Sequence, residues 1–212
     1  GKSVFDFFED FEGSTYWTPT QGTCFPTSST YGTPSCSHGR ATDYKKDGSY
    51  SYSMKASITP TANPAWWGVG CDWTFPANIP IGNGRMHIWY RVEMRSDTYN
   101  YQCGYPCTNY NTPTGTCCRV GMHVYVPSDT WQFKRPTGEE CSTLSGGSVV
   151  SYVEDKEFSI SGSPPLNMKI YVEAWFGPAG VLHYVYVWLD QIYVRKYTSP
   201  EPTISVGAEQ SI

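Results

Sequence analysis

Met86-His87-Ile88-Trp89-Tyr90-Arg91-Val92-Glu93-Met94 repeats with a period of two: Met86, Ile88, Tyr90, Val92 and Met94 share one face. That period belongs to a β-strand with one face on a core. Lys169-Ile170-Tyr171-Val172-Glu173-Ala174-Trp175 repeats the pattern. Working outward, short runs rich in Val, Ile, Tyr and Trp predict further strands. They lie over Ser49–Ser57, Trp66–Phe75, Arg119–Val126, Ser148–Val153, Val181–Leu189 and Gln191–Tyr197. Gly, Pro, Asn and Ser clusters bound these runs, and no segment keeps apolar residues at helical spacing for three turns. The expected fold is all-β: a two-sheet antiparallel sandwich of the jelly-roll type. A single domain over residues 1–198 is expected, with residues 1–9 as an N-terminal arm and residues 199–212 as a strand-like tail.

Composition narrows the function. Charged residues make up 16% of the 212, below the roughly 25% usual for soluble domains, and Ser, Thr, Asn, Gly and Tyr fill the deficit. The net charge of −4 and the lack of a Lys/Arg cluster exclude nucleic acid, whose binding rests on phosphate neutralisation. No apolar run approaches the roughly 20 residues of a membrane-spanning helix. The chain starts at Gly1 without a signal peptide, which is expected to have been removed on secretion.

The eight cysteines (Cys24, Cys36, Cys71, Cys103, Cys107, Cys117, Cys118 and Cys141) are expected to form disulfides in an oxidising, extracellular setting. None is spaced Cys-x-x-Cys, which speaks against a redox dithiol or a zinc finger. Two Cys-bearing stretches, Tyr16–Tyr44 and Ser96–Cys118, read as irregular insertions stapled by such bonds. Cys24 with Cys36 is the local pair; the partners of the others stay open.

Phe11-Glu12-Gly13, Asp47-Gly48-Ser49-Tyr50-Ser51-Tyr52-Ser53-Met54-Lys55 and Leu189-Asp190-Gln191-Ile192-Tyr193-Val194 together resemble the motifs of jelly-roll carbohydrate-binding modules and of concanavalin A-like lectin sandwiches. The ending Val194–Thr203 is similar to the tails of such domains in archaeal cell-surface proteins. The resemblance implies a structural calcium ion where the first strand, the turn before Ser49 and the last strand meet, with Asp10, Glu12, Asp47 and Asp190 as ligands. Gln191 departs from the pattern, since a second aspartate is usual there.

No serine-hydrolase, zincin or P-loop motif occurs. A sandwich glycosidase would need two carboxylates across a cleft, and Glu93 with Glu173 is the one defensible pair; the chain is read as non-enzymatic. Trp66, Trp67 and Trp131 are candidates for stacking on sugar rings, with core packing as the competing use. Val4, Phe5 and Phe7 in the arm, and Ile204, Val206 and Ala208 in the tail, are too apolar to hang free in water. Either set could dock on a neighbouring copy by strand addition. The expected function is therefore a secreted structural subunit that assembles with copies of itself into a filament or surface layer. The alternative is a module that binds polysaccharide through loop aromatics.

Overall fold

The computed structural model describes residues 4–27, 29–62, 68–95, 121–126, 131–134, 149–175 and 179–196. Eleven strands are formed by these residues, all paired antiparallel, with no α-helix among them. They are β1 (Phe7–Glu9), β2 (Thr20–Gln21), β3 (Ser35–Ala41), β4 (Ser51–Ile58), β5 (Gly68–Ile79), β6 (Asn83–Arg95), β7 (Gly121–Tyr125), β8 (Trp131–Lys134), β9 (Val149–Ser161), β10 (Leu166–Trp175) and β11 (His183–Lys196). One sheet runs β3-β4-β11-β6-β9, and β1 also pairs with β11; the other runs β2-β5-β10-β7-β8. The two-sheet sandwich expected from the period-two runs is present.

The inner faces follow the parity read from the sequence. Met86, Ile88, Tyr90, Val92 and Met94 of β6 are all buried, as are Ile170 and Val172 of β10. They interleave with Tyr52 and Met54 of β4, Val185, Val187 and Leu189 of β11, and Trp73 and Phe75 of β5 in one core. Strands with one buried face are fixed in register, because a one-residue slip would turn that face into water. Trp73 belongs wholly to this core.

Several local expectations are corrected. β11 is one strand rather than two: an irregularity between Asp190 and Tyr193, with Gln191 at φ 46°, keeps the ladder to β6 running on both sides. β3 lies inside the stretch expected to be irregular and pairs with β4 from Ser35↔Ser57 to Ala41↔Ser51. The N-terminal arm packs on its own sheet. β1 pairs Phe7↔Val194 and Glu9↔Ile192, in the lane beyond the point where β4 leaves β11 at Leu189↔Tyr52. Phe5 stacks on Tyr193 at 4.3 Å and Phe7 meets Trp17 edge-on at 4.8 Å. Phe5 and Phe7 are therefore committed within the chain, and of the docking residues proposed in the arm Val4 stands out, 70% exposed. Ile204, Val206 and Ala208 lie outside the described residues.

Cys24–Cys36 is a disulfide, as expected from the local pairing, and joins β3 of one sheet to the segment whose Phe25 bridges Gly70 of the other. Cys71 is corrected: it carries a free thiol, fully buried in the core. Cys103, Cys107, Cys117, Cys118 and Cys141 fall outside the described residues.

Candidate functional site

His183-Tyr184-Val185-Tyr186-Val187-Trp188-Leu189 alternates aliphatic and aromatic residues. Val185, Val187 and Leu189 are buried in the core, so Tyr184, Tyr186 and Trp188 stand on the outer face of the β3-β4-β11-β6-β9 sheet. The strand registers give that face its rows. Ser35, Ser57, Tyr184, Arg95 and Val149 lie side by side across the sheet; next come Ser37, Lys55, Tyr186, Glu93 and Ser151; then Gly39, Ser53, Trp188, Arg91 and Val153. A column of three aromatic rings is thus flanked on one side by Ser57, Lys55 and Ser53, with Ser35, Ser37 and Gly39 beyond them, and on the other by Arg95, Glu93 and Arg91. A Cβ built on Gly39 would meet nothing within 4 Å, so the sheet is open above that residue.

The rings are held in place by their neighbours. Tyr184 stacks on Tyr186 at 4.4 Å, and Tyr186 meets Trp188 edge-on at 6.3 Å. The Lys55 ammonium sits 5.5 Å from the Tyr186 ring and 5.4 Å from that of Trp188, within cation–π range. Tyr184 donates to Glu93 Oε1 at 3.2 Å. Burial first, and then the Glu93 carboxylate, push the Tyr184 phenol up to about 12. Burial likewise raises Tyr186. Both phenols therefore stay neutral donors and acceptors across the ordinary pH range.

At the Trp188 end the turn over residues 43–48 folds onto the sheet and covers the indole, which is 2% exposed, leaving Tyr184 and Tyr186 as the half-buried rings of the column. Trp188 Nε1 donates to Asp43 Oδ1 at 3.0 Å, and Tyr44 packs edge-on against Trp188 at 4.7 Å. The Arg91 guanidinium lies 4.0 Å over the Tyr44 ring. Together the turn, Trp89 and Arg91 of β6 and Val153 of β9 line an open cleft of about 510 Å3. Small-molecule sites run to roughly 300–1,000 Å3. Val153 is 50% exposed at its rim. Lys46 reaches across to Asp155, which also accepts from His87 Nε2. His87 stacks on Tyr193 at 4.2 Å, with Nδ1 3.1 Å from the Gln191 carbonyl. For Asp155 burial acts upward, but the Lys46 bond and the His87 interaction outweigh it and hold the carboxyl below the ordinary carboxylate value.

Asp190 anchors the same turn from beneath. It is 1% exposed; its Oδ2 accepts from the backbone N–H groups of Lys46 at 2.8 Å and Asp47 at 3.2 Å, and its Oδ1 from Gln191 at 2.7 Å. Burial is the largest influence and lifts its carboxyl above the ordinary value, against the pull of these three N–H groups. Glu12 Oε1 accepts from Ser49 and Tyr50, each at 2.7 Å. Glu12 and Asp190, two of the residues expected as calcium ligands, meet the turn that carries Asp47 through its backbone N–H groups. The carboxylates of Asp190 and Glu12 are directed at N–H donors, Asp47 Oδ1 accepts from Gly48 and Asp10 Oδ1 from Glu12. Among the described residues no group of three or more His, Cys, Asp or Glu side chains could hold a metal ion.

The other sequence candidates separate. Glu93 lies on the outer face of one sheet, whereas Glu173 lies on β10 of the other sheet, beside Tyr171, whose hydroxyl donates to it at 2.9 Å. The two carboxylates stand on different sheets and share no cleft, so they do not form a glycosidase pair. Trp131 lies in β8, its backbone paired with Tyr125; Trp66 and Trp67 fall outside the described residues. The aromatic column of β11 was missed because its residues were read as strand formers. The signal available was the aliphatic set Val185, Val187 and Leu189, which leaves the aromatic set for the outside.

No protein-family model matches the chain, and no curated protein matches it. Among solved structures, a carbohydrate-binding module of the β-sandwich superfamily, described for promiscuous specificity, matches at 10% identity and a TM-score of 0.40, over 89% of this chain and 61% of that one. This chain thus spans less than two thirds of that structure. The K2 cleaved adhesin domain of Lys-gingipain matches at 12% identity and a TM-score of 0.36, over 90% of this chain and 98% of that one. TmCBM61, solved in complex with β-1,4-galactotriose, matches at 10% identity and a TM-score of 0.33, over 78% of this chain and 88% of that one. Scores this low carry no argument about what this chain binds; the site has to be read from its own residues.

Proposed function

We propose that this protein is a non-catalytic carbohydrate-binding domain that lays a glycan across the outer face of the β3-β4-β11-β6-β9 sheet. The observation that carries the reading is the pair of half-buried rings Tyr184 and Tyr186, backed by the buried Trp188 and set between Ser57, Lys55 and Ser53 of β4 and Arg95, Glu93 and Arg91 of β6. Sugar rings present apolar C–H faces and a rim of hydroxyls. Aromatic rings bury the first, and neutral phenols, Lys55 and Glu93 hydrogen-bond the second. The Cys24–Cys36 bond suits an oxidising compartment, and so a secreted protein. Strand addition between copies loses its N-terminal half, because Phe5 and Phe7 are already packed within the chain.

Affinity electrophoresis against a panel of soluble polysaccharides tests the proposal. At least one polysaccharide should retard the wild-type chain, and Tyr186→Ala should lose about tenfold in affinity, the loss of one stacked ring at ~1.4 kcal/mol. Tyr171→Ala, on the opposite sheet, should bind as the wild type does. A panel that retards neither protein would overturn the reading.

A further inference from the structure

Resting on the carbohydrate reading, we infer that the cleft beside Trp188 receives the carboxylate of an acidic sugar, a uronic acid, with Arg91 as its principal ligand. Arg91 has five N–H donors. One of them reaches Glu93 Oε2 at 3.4 Å, and Nε is buried without a hydrogen-bond acceptor among the described residues. Nε lies below the surface and Glu93 takes one Nη2 donor as an ion pair, so the capacity for an acceptor that the chain does not supply lies in the remaining Nη donors on the lining of the cleft. Its plane is fixed 4.0 Å over the Tyr44 ring. Stacking of this kind leaves the guanidinium edge for two parallel bonds to a carboxylate.

Other charged groups lie close by. Lys45, Lys46 and Arg91 line the cleft with Asp43 and Asp47. The Asp43 carboxylate is taken by Trp188 Nε1 at 3.0 Å and faces Lys55 Nζ at 4.0 Å, and Asp47 Oδ1 accepts from the Gly48 N–H at 2.8 Å. Lys46 pairs with Asp155, while Lys45 Nζ bonds the Thr42 carbonyl at 2.9 Å and keeps donors to spare. Asp43 and Asp47 keep their charges while accepting from N–H groups, Lys46 is set against Asp155 and Arg91 against Glu93 at 3.4 Å, so an acidic unit is selected by the guanidinium fork itself and not by a net field. Neutral sugar units would lie over Tyr186 and Tyr184, with the acidic unit at Arg91.

Titration calorimetry on the full chain, at low and at physiological salt, tests the assignment. The probes are oligogalacturonate, oligoglucuronate and oligomannuronate, each beside its carboxyl-reduced neutral counterpart and a sulfated neutral oligosaccharide. At least one uronate should bind about tenfold or more tighter than its reduced counterpart, with the preference shrinking as salt rises. Arg91→Gln should bring that ratio toward one, and Arg91→Lys should recover part of it, since a point charge replaces a planar fork. Lys45→Ala, away from the sheet, should lower the ratio severalfold, so the test does not depend on a variant that disturbs β6. Lys169→Ala, on the other sheet, should leave the ratio unchanged. Equal affinity for uronate and reduced forms, a ratio that survives Arg91→Gln, or preference for the sulfated probe would overturn the inference while leaving sugar binding intact. Failure to bind any probe, charged or neutral, would overturn both.

Discussion

Replacing Asp190 by asparagine should unfasten the turn that walls the cleft, and the cost can be worked from its three bonds. The carboxylate accepts from Lys46, Asp47 and Gln191 while 1% exposed. Asparagine keeps one oxygen, which can serve the Lys46 and Asp47 groups, but its NH2 then faces the Gln191 N–H. Leaving that buried donor unmade costs about 1–3 kcal/mol, and each remaining bond drops from charge-assisted to neutral, about 1 kcal/mol apiece. Relief from burying a charge returns part of this, so the net loss should be about 3 kcal/mol. At roughly 2–4 °C per kcal/mol for a chain of this length, Tm should fall by about 6–12 °C. The assay is thermal unfolding followed by tryptophan fluorescence, in EDTA and again in excess calcium chloride. Because the acceptors are already matched by N–H groups, the wild-type Tm should be the same in both solutions. A fall under about 1 °C for Asp190→Asn would refute the reasoning. So would a wild-type gain of several degrees in calcium that the variant lacks, since a bound ion at a hundredfold excess over Kd adds about 2.7 kcal/mol.

Three further outcomes follow from the same geometry. Asp155, held below the ordinary carboxylate value chiefly by Lys46 and His87 against the effect of burial, contributes stability that is present above its unfolded value and lost as pH falls through the folded one. Between pH 5 and pH 3 the urea midpoint should therefore drop further for the wild type than for Asp155→Asn, and equal drops would contradict the pairing. The Cys71 thiol is pushed up to about 11, first by burial and then by Asp72. At pH 8 about one molecule in a thousand carries the thiolate, so peptide mapping after iodoacetamide should find Cys71 unlabelled until the protein is unfolded. Removing the Cys24–Cys36 bond, which closes a loop of sequence separation 12, should cost about 3 kcal/mol. The double serine variant, compared with the wild type by urea unfolding, checks that figure, and no shift in the midpoint would contradict it.

The fold was legible wherever one face of a strand is aliphatic and the other is not. β6, β4 and β10 announce themselves this way, because burial of one face imposes a period of two on the sequence. β3 did not. Ser35-Cys36-Ser37-His38-Gly39-Arg40-Ala41 has no β-branched residue and few large apolar ones, and it is a strand because β4 offers it an edge and Cys36 is tied to Cys24. The break expected at Asp190 was a real irregularity misread as an end: the backbone kinks at Gln191 while pairing with β6 resumes at Tyr193. The site was half legible. The motifs carrying Glu12, Asp47 and Asp190 are visible in the chain, but sequence could not show that backbone N–H groups would occupy their oxygens. The aromatic column was written plainly in Tyr184, Tyr186 and Trp188. Strand parity says that they share a face but not which face leaves the core, a choice made by packing of Val185, Val187 and Leu189 against the second sheet, and it cannot show that Asp43 and Tyr44 then cover Trp188.

The central claim is that a glycan lies on the outer face of the first sheet, and backbone amide shifts of the isotope-labelled chain, titrated with an oligosaccharide that it retains, address it most directly. The account predicts perturbations grouped at Ser53, Lys55, Tyr184, Tyr186, Trp188, Arg91 and Glu93, with Lys169, Tyr171 and Glu173 on the opposite sheet unmoved. Shifts centred on the opposite sheet, or saturable binding that leaves the β11 amides where they were, would contradict it.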